Sequence, residues 1–162
     1  MIAFLRAKAG DSIELAQLAE TIWRQHFTPI IGEKQVNYML TNFQSAKAIA
    51  NFIDEGYEYY FINVNGINIG YLAIQNRQDH LHLSKFYILK KFRGNGYGKE
   101  SMKFILSKAK EYKISSLKLV VNKDNADTIA AYEKMGFIKI GAPVTDIGGG
   151  FVMDDFEFEL RI

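Results

Sequence analysis

The chain contains no cysteine. That excludes a disulfide framework, a thiolate nucleophile and any metal site built on Cys ligands. It has no run of about 18 consecutive apolar residues, the length a membrane-spanning helix needs. The opening Met1-Ile2-Ala3-Phe4-Leu5-Arg6 lacks the charged-then-apolar layout of a secretory signal, so a cytoplasmic location is expected. Charge of one sign is missing as well. Twenty Lys and Arg against 18 Asp and Glu leave a net +2, too little to argue for a nucleic-acid partner. There are no repeats and no linkers.

What is present is the make-up of an ordinary folded protein. Hydrophobic residues at 48% and aromatics at 14% exclude disordered and fibrous classes. A length of 162 residues suits one domain spanning 1–162, large enough to bury a core.

Apolar spacing outlines the elements. Residues 2–7 read as a first strand. Asp11 stands three residues before Glu14, a capping-box variant, and opens a helix whose stripe is Leu15, Leu18, Ala19, Ile22 and Trp23, through about Phe27. After a break at Thr28-Pro29, a second helical region is expected near 33–43 with Val36, Met39 and Leu40. Ser45 is placed to cap a third, burying Ala46, Ile49, Ala50 and Ile53. Tyr57–Val64 and Ile67–Gln75 read as strands joined by the hairpin signal Asn65-Gly66. A third strand runs from about His80 to Leu89, followed by a helix over about 96–112. Strand 116–122, helix 125–135, strand 137–141 and a last strand near 151–160 complete the chain, with Gly148-Gly149-Gly150 as the flexible-loop candidate.

The most informative stretch is Phe86-Tyr87-Ile88-Leu89-Lys90-Lys91-Phe92-Arg93-Gly94-Asn95-Gly96-Tyr97-Gly98-Lys99. An apolar run ends, a glycine-dense turn follows and a helix begins. Glycines admit positive φ and keep side chains off the backbone. Free amides backed by a helix dipole make an anion site, and Lys85, Lys90, Lys91, Arg93 and Lys99 surround it in sequence. Spacing excludes two glycine loops. A P-loop needs glycine five residues before the Gly-Lys pair and Ser or Thr after it, where this chain has Arg93 and Glu100. A dinucleotide fingerprint starting at Gly94 needs glycine at its sixth position, which is Lys99.

Arg93-x-x-Gly96-x-Gly98 resembles the pyrophosphate loop of the GNAT superfamily of acyl-CoA-dependent N-acetyltransferases. Downstream, Asn125, Tyr132 and Gly136-Phe137 follow the strand Leu117–Asn122 in the spacing of the second GNAT motif. The resemblance is close over about 60–141. It implies an α/β (α+β) fold with a mixed, twisted, mostly antiparallel sheet of about seven strands flanked by helices, in the order β-αα-βββ-α-β-α-ββ. It also implies acetyl-CoA (coenzyme A) as cofactor. By that resemblance Arg93, Gly94, Asn95, Gly96, Tyr97, Gly98 and Lys99 hold the pyrophosphate. Phe86, Tyr87 and Ile88 pair with the pantetheine arm beside a bulge, an amide there bonding the thioester oxygen. Asn125 contacts the arm, alternatively serving as a plain helix cap. Tyr132 donates the proton to the leaving thiolate, alternatively packing in the core with Ile129 and Met135. Trp23, His26, Phe27 and Tyr38 stand where relatives form one wall of the acceptor site; simple core packing is the other reading.

The general base is missing. Relatives carry a glutamate at the positions of Val120 or Ser84, and neither acid is present. Water relayed through His82, Tyr87 or a backbone carbonyl is one substitute; His80 and His82 otherwise read as surface strand residues. In the last strand, alternation places Asp154 on the apolar face with Val152, Phe156, Phe158 and Leu160. A carboxylate there needs a partner. The segment from Asp146 to Asp155 also resembles the C-terminal part of bacterial polyamine (spermine/spermidine) acetyltransferases, so Asp154 or Asp155 is expected to receive a primary amine. The expected activity is acetyl transfer from acetyl-CoA to a small polyamine-like amine. Acetylation of a protein N-terminus or lysine, and a non-catalytic acyl-CoA-binding module, are the alternatives. No metal, membrane or nucleic-acid partner is expected; relatives often form homodimers, and no stretch marks an interface.

Overall fold

A computed structural model describes residues 1–162. In chain order its elements are β1 (Ile2–Arg6), α1 (Ser12–His26), α2 (Thr28–Ile31), α3 (Glu33–Asn42), α4 (Ala46–Asp54), β2 (Glu58–Val64), β3 (Ile67–Asn76) and β4 (Leu81–Ile88). Then follow α5 (Tyr97–Glu111), β5 (Ser116–Asn122), α6 (Ala126–Lys134), β6 (Ile138–Gly141), β7 (Val144–Gly148) and β8 (Phe151–Arg161). The sheet runs β1-β2-β3-β4-β5-β8-β6, with β7 added on β8. Only β4 and β5 are parallel neighbours.

Local signals explain most of the element ends. Asn65 (φ 51°) and Gly66 (φ 86°) both take the left-handed region that the two-residue hairpin requires. Ser45 Oγ accepts from the Ala48 amide at 3.1 Å and caps α4. The expected Asp11–Glu14 box does not form. Asp11 instead turns back one helical turn, its carboxylate accepting from the Lys8 amide at 2.8 Å. Thr28-Pro29 does not leave open coil: Pro29 sits in the first turn of α2, where it sacrifices no helical bond.

An eighth strand leads into the glycine run, which forms a tight turn. Gly148, Gly149 and Gly150 all have positive φ, which folds β7 back against β8. The Tyr38 hydroxyl donates to the Ile147 carbonyl at 2.5 Å, and its ring lies 5.2 Å from that of Phe151. Tyr38 therefore pins this turn and does not line the cavity described below.

Each sheet face carries its own apolar layer. α5 and α6 cover one, with Ile105, Leu117, Leu119, Phe158 and Phe137 buried between them and the sheet. The helices α1–α4 cover the other, over Tyr59, Phe61, Tyr71 and Ala73. Between the halves of the sheet the pairing almost fails. β4 meets β5 only at Leu81–Leu117 and His82–Lys118, and then the strands part. Two features bend β4 away. Ala73 pairs with Lys85 and Ile74 with Leu83, so Ser84 is an unpaired bulge residue. Gly70 lets β4 lean onto β3, since a Cβ there would lie 2.1 Å from the Tyr87 carbonyl oxygen.

Candidate active site

The parting of β4 and β5 opens a cavity of about 640 Å³ through the sheet. Its walls come from both faces. Trp23 and His26 of α1, with Phe27 just past its end, approach from one, and Thr128, Ala131 and Tyr132 of α6 from the other. Phe86, Tyr87 and Ile88 line it along β4, an edge without a β5 partner. Trp23 and Phe27 stack at 4.2 Å, each edge-on to Tyr87. These aromatics serve as core and cavity wall together.

At one mouth lies the glycine turn. Gly94 and Gly96 have φ of 80° and 82°. Open space surrounds the Cβ positions of Gly94, Gly96 and Gly98. The first amide to bond within the α5 turn belongs to Glu100, donating to Gly96 O at 3.1 Å. The six amides of residues 94–99 are left without backbone partners, the condition for an anion cradle. Asn95 braces the turn from its side chain, donating to the Phe92 carbonyl at 3.1 Å. Arg93 folds back: its Nε donates to the Ile88 carbonyl at 2.9 Å, and Nη1 lies 3.4 Å from His26 Nδ1. Lys85 does not join this basic group; it faces Phe52 of α4.

His26 crosses the cavity mouth. Its Nε2 lies 3.1 Å from Asn125 Oδ1, linking α1 to the start of α6 and, through Arg93, to the glycine turn. Burial, opposed in part by the Asn125 bond, lowers the His26 pKa. Asn125 occupies the cap position of α6, yet its side chain makes no cap bond. The plain-cap alternative is thereby excluded. Sequence spacing gave no sign of this crossing, whose members are 99 positions apart.

Three ionisable groups converge deeper in. Tyr132 is buried, its ring 5.3 Å from Phe137, and burial alone raises its pKa and keeps the phenol protonated. Tyr87 is raised by burial and by the charges of Tyr132, Tyr59 and Asp155. Asp155 is 4% exposed; burial, with the Asp154 charge, lifts it from 3.8 to about 6. Along β8 the expected apolar face does not bury Asp154. Phe156, Phe158 and Leu160 do face Val121, Leu119 and Leu117, but Val152 is 48% exposed and Asp154 sits near the surface, ion-paired with Lys123. The other face of β8 is the one that α1–α4 cover, where Met153 packs, so Asp155 is the carboxylate turned into the cavity. His80 binds Asp79 at 2.7 Å, and neither it nor His82 lines the cavity.

Comparisons with known proteins agree with this geometry. The family model described as acetyltransferase (GNAT) domain matches residues 27–153. The chain belongs to the GNAT acetyltransferase family. Among solved structures, PaiA N-acetyltransferase from Thermoplasma acidophilum, in complex with coenzyme A, superposes with a TM-score of 0.83 at 18% identity, over 100% of this chain and 99% of that one. The ribosomal-protein-S18-alanine N-acetyltransferase from Escherichia coli gives 0.75 at 17%, over 100% and 94%. A GNAT family acetyltransferase from Elizabethkingia anophelis with acetyl-CoA bound gives 0.64 at 15%, over 99% and 98%. No curated protein matches.

This GNAT domain has the expected fold and is an N-acetyltransferase that uses acetyl-CoA. Its own residues fit that cofactor. Six free amides with room around their glycines suit a diphosphate, and the open β4 edge offers backbone groups to an extended amide-bearing arm. No helix is long and apolar enough to cross a membrane, and no cluster of His, Asp and Glu suits a metal.

Proposed function

We propose that this GNAT enzyme acetylates a primary amine of polyamine type by direct attack on the thioester. The observation that carries the reading is Asp155, a buried carboxylate in the cavity with no cation and no hydrogen-bond donor supplied by the protein. Such a group is costly alone and favourable beside an ammonium. The stacked Trp23–Phe27 wall adds apolar surface for a methylene chain.

Bound acetyl-CoA supplies an activated acetyl group. The amides of residues 94–99 hold its diphosphate, with Arg93 and Asn95 bracing the turn, while Phe86, Tyr87 and Ile88 present backbone groups to its arm. Asn125, tied to His26, orients that arm. Tyr132, kept protonated by burial, donates to the leaving sulfur. Asp155 orients the acceptor through a cationic nitrogen.

A thiol-release assay across monoamines, diamines, polyamines and peptides tests the reading. Acceptors with a second cationic nitrogen should give the highest kcat/KM. Asp155→Asn should raise their KM at least tenfold and leave the acetyl-CoA KM unchanged, while Asp154→Asn, which breaks only a surface ion pair, should leave the amine profile as it is. An identical amine profile for wild type and Asp155→Asn removes the carboxylate from acceptor binding. Turnover confined to peptides overturns the small-amine reading.

A further inference from the structure

The acceptor nitrogen must lose a proton, and no glutamate stands at either position that relatives use. The bulge in β4 offers another group. A bulge turns two consecutive side chains toward the same side of a strand. Here they are Ser84, which lines the cavity, and Lys85 behind it. The Lys85 Nζ lies 3.2 Å from Ser84 Oγ and 4.8 Å from the Phe52 ring centroid. No carboxylate from β3, β4 or α4 pairs with it: Ala73 stands opposite on β3 and Phe52 covers it from α4. A hydroxyl and an aromatic face hold a cation far less firmly than a carboxylate would, so the burial that disfavours the Lys85 charge is opposed only weakly, unlike at the ion-paired surface lysines.

We propose that Ser84 and Lys85 form the proton relay that deprotonates the acceptor nitrogen, with Ser84 touching the substrate and Lys85 acting through it. The proposal rests on the acetyl-transfer reading above and assigns its missing base. As the nitrogen bonds to the acetyl carbon and the carbon–sulfur bond breaks, the proton shed by nitrogen passes to Ser84 Oγ. The Ser84 hydroxyl proton passes to the neutral Lys85 amine. The departing sulfur takes the Tyr132 proton, and solvent returns the proton from Lys85 to Tyr132, so the cycle closes without a further reactant.

The surroundings favour this assignment. Burial pushes Lys85 down to about 8, so a usable fraction is neutral near pH 7.5. Nearby are His82 on the same strand and, around His82, Arg77 and His80. His82, driven down to about 3 mainly by burial, stays neutral in this range and does not compete for the proton.

The test compares wild type, Lys85→Met, Lys85→Arg and Ser84→Ala over pH 6–10 with one acceptor, so that the acceptor's own ionisation cancels. Wild-type kcat should carry an inflection near 8 that all three variants lack. At pH 7.5 each should lose roughly 10²-fold in kcat with the acetyl-CoA KM within twofold, and the Ser84→Ala, Lys85→Met double variant should lose no more than either alone. An inflection retained by Lys85→Met, or losses that multiply, overturns the relay. Independently of turnover, the NMR titration of isotopically labelled Lys85, assigned by its absence in Lys85→Arg, should show a midpoint near 8. A midpoint near an ordinary lysine's value of about 10.4 overturns the relay. If only a peptide is turned over, the polyamine reading fails and the same pH comparison on that peptide still judges Ser84 and Lys85.

Discussion

The buried carboxylate of Asp155 makes a prediction about stability that requires no substrate. Its folded-state value is raised from 3.8 to about 6, so the folded chain binds its proton more tightly than the unfolded chain does. Between those two values unfolded chains carry fewer protons than folded ones, and stability falls as pH rises. Below about pH 3 the group is protonated in both states and costs nothing. Above about pH 6 the full penalty applies. At about 1.4 kcal/mol per pH unit, a shift of roughly two units sets a ceiling of about 3 kcal/mol. Relaxation of the neighbours leaves about 2 kcal/mol as the working expectation. Asp155→Asn keeps the shape and removes the charge. It should therefore raise the unfolding free energy at pH 7.5, read from urea titration, by that amount, roughly 4–8 °C in Tm for a chain of this size, and leave stability at about pH 3 nearly unchanged. Adding a polyamine at pH 7.5 should stabilise wild type and not the variant. A variant less stable than wild type at pH 7.5 would mean that Asp155 is held by the protein itself, and the reasoning about an unpartnered charge would be wrong.

Three further outcomes follow from other parts of the site. Tyr132→Phe should lower kcat about 10²-fold with the acetyl-CoA Kd, read by calorimetry, within twofold; unchanged turnover removes the donor role. Gly70→Ala drives a methyl against the Tyr87 carbonyl, so urea unfolding should show a loss of about 2–3 kcal/mol together with weaker acetyl-CoA binding as β4 shifts. His26→Ala and Asn125→Ala should each raise the acetyl-CoA KM several-fold, and a double-mutant cycle should give a coupling of about 1 kcal/mol; additive effects would show that their contact carries no energy.

The features legible in the sequence are those written in consecutive residues. Asn65-Gly66, the Ser45 cap and the glycine turn after β4 each need only their own neighbours to take their form. What the sequence concealed depends on distant partners or on a one-residue shift. Alternation along β8 assigns faces, but which face the α1–α4 layer covers is a tertiary fact, and it transferred the buried role from Asp154 to Asp155. The bulge at Ser84 has no residue signature, so Lys85 read as part of the basic group at the loop. β7 is short, with Val144 exposed, and is a strand through its pairing with β8 across a turn that Tyr38 secures. Gly70 did carry a signal: an isolated glycine inside an apolar strand marks close approach of another backbone.

The parted strands also bear on how the molecule holds together. With two rungs joining β4 to β5, the sheet is nearly two sheets, and α5 packs on both β1 and β5 as a strap across the seam. The strap begins at the glycine turn. Whatever settles there fastens the buckle end of α5, so an occupant of that turn stiffens the joint between the two halves as well as filling the gap, and slowed hydrogen exchange along β4 and β5 is where that tightening would register.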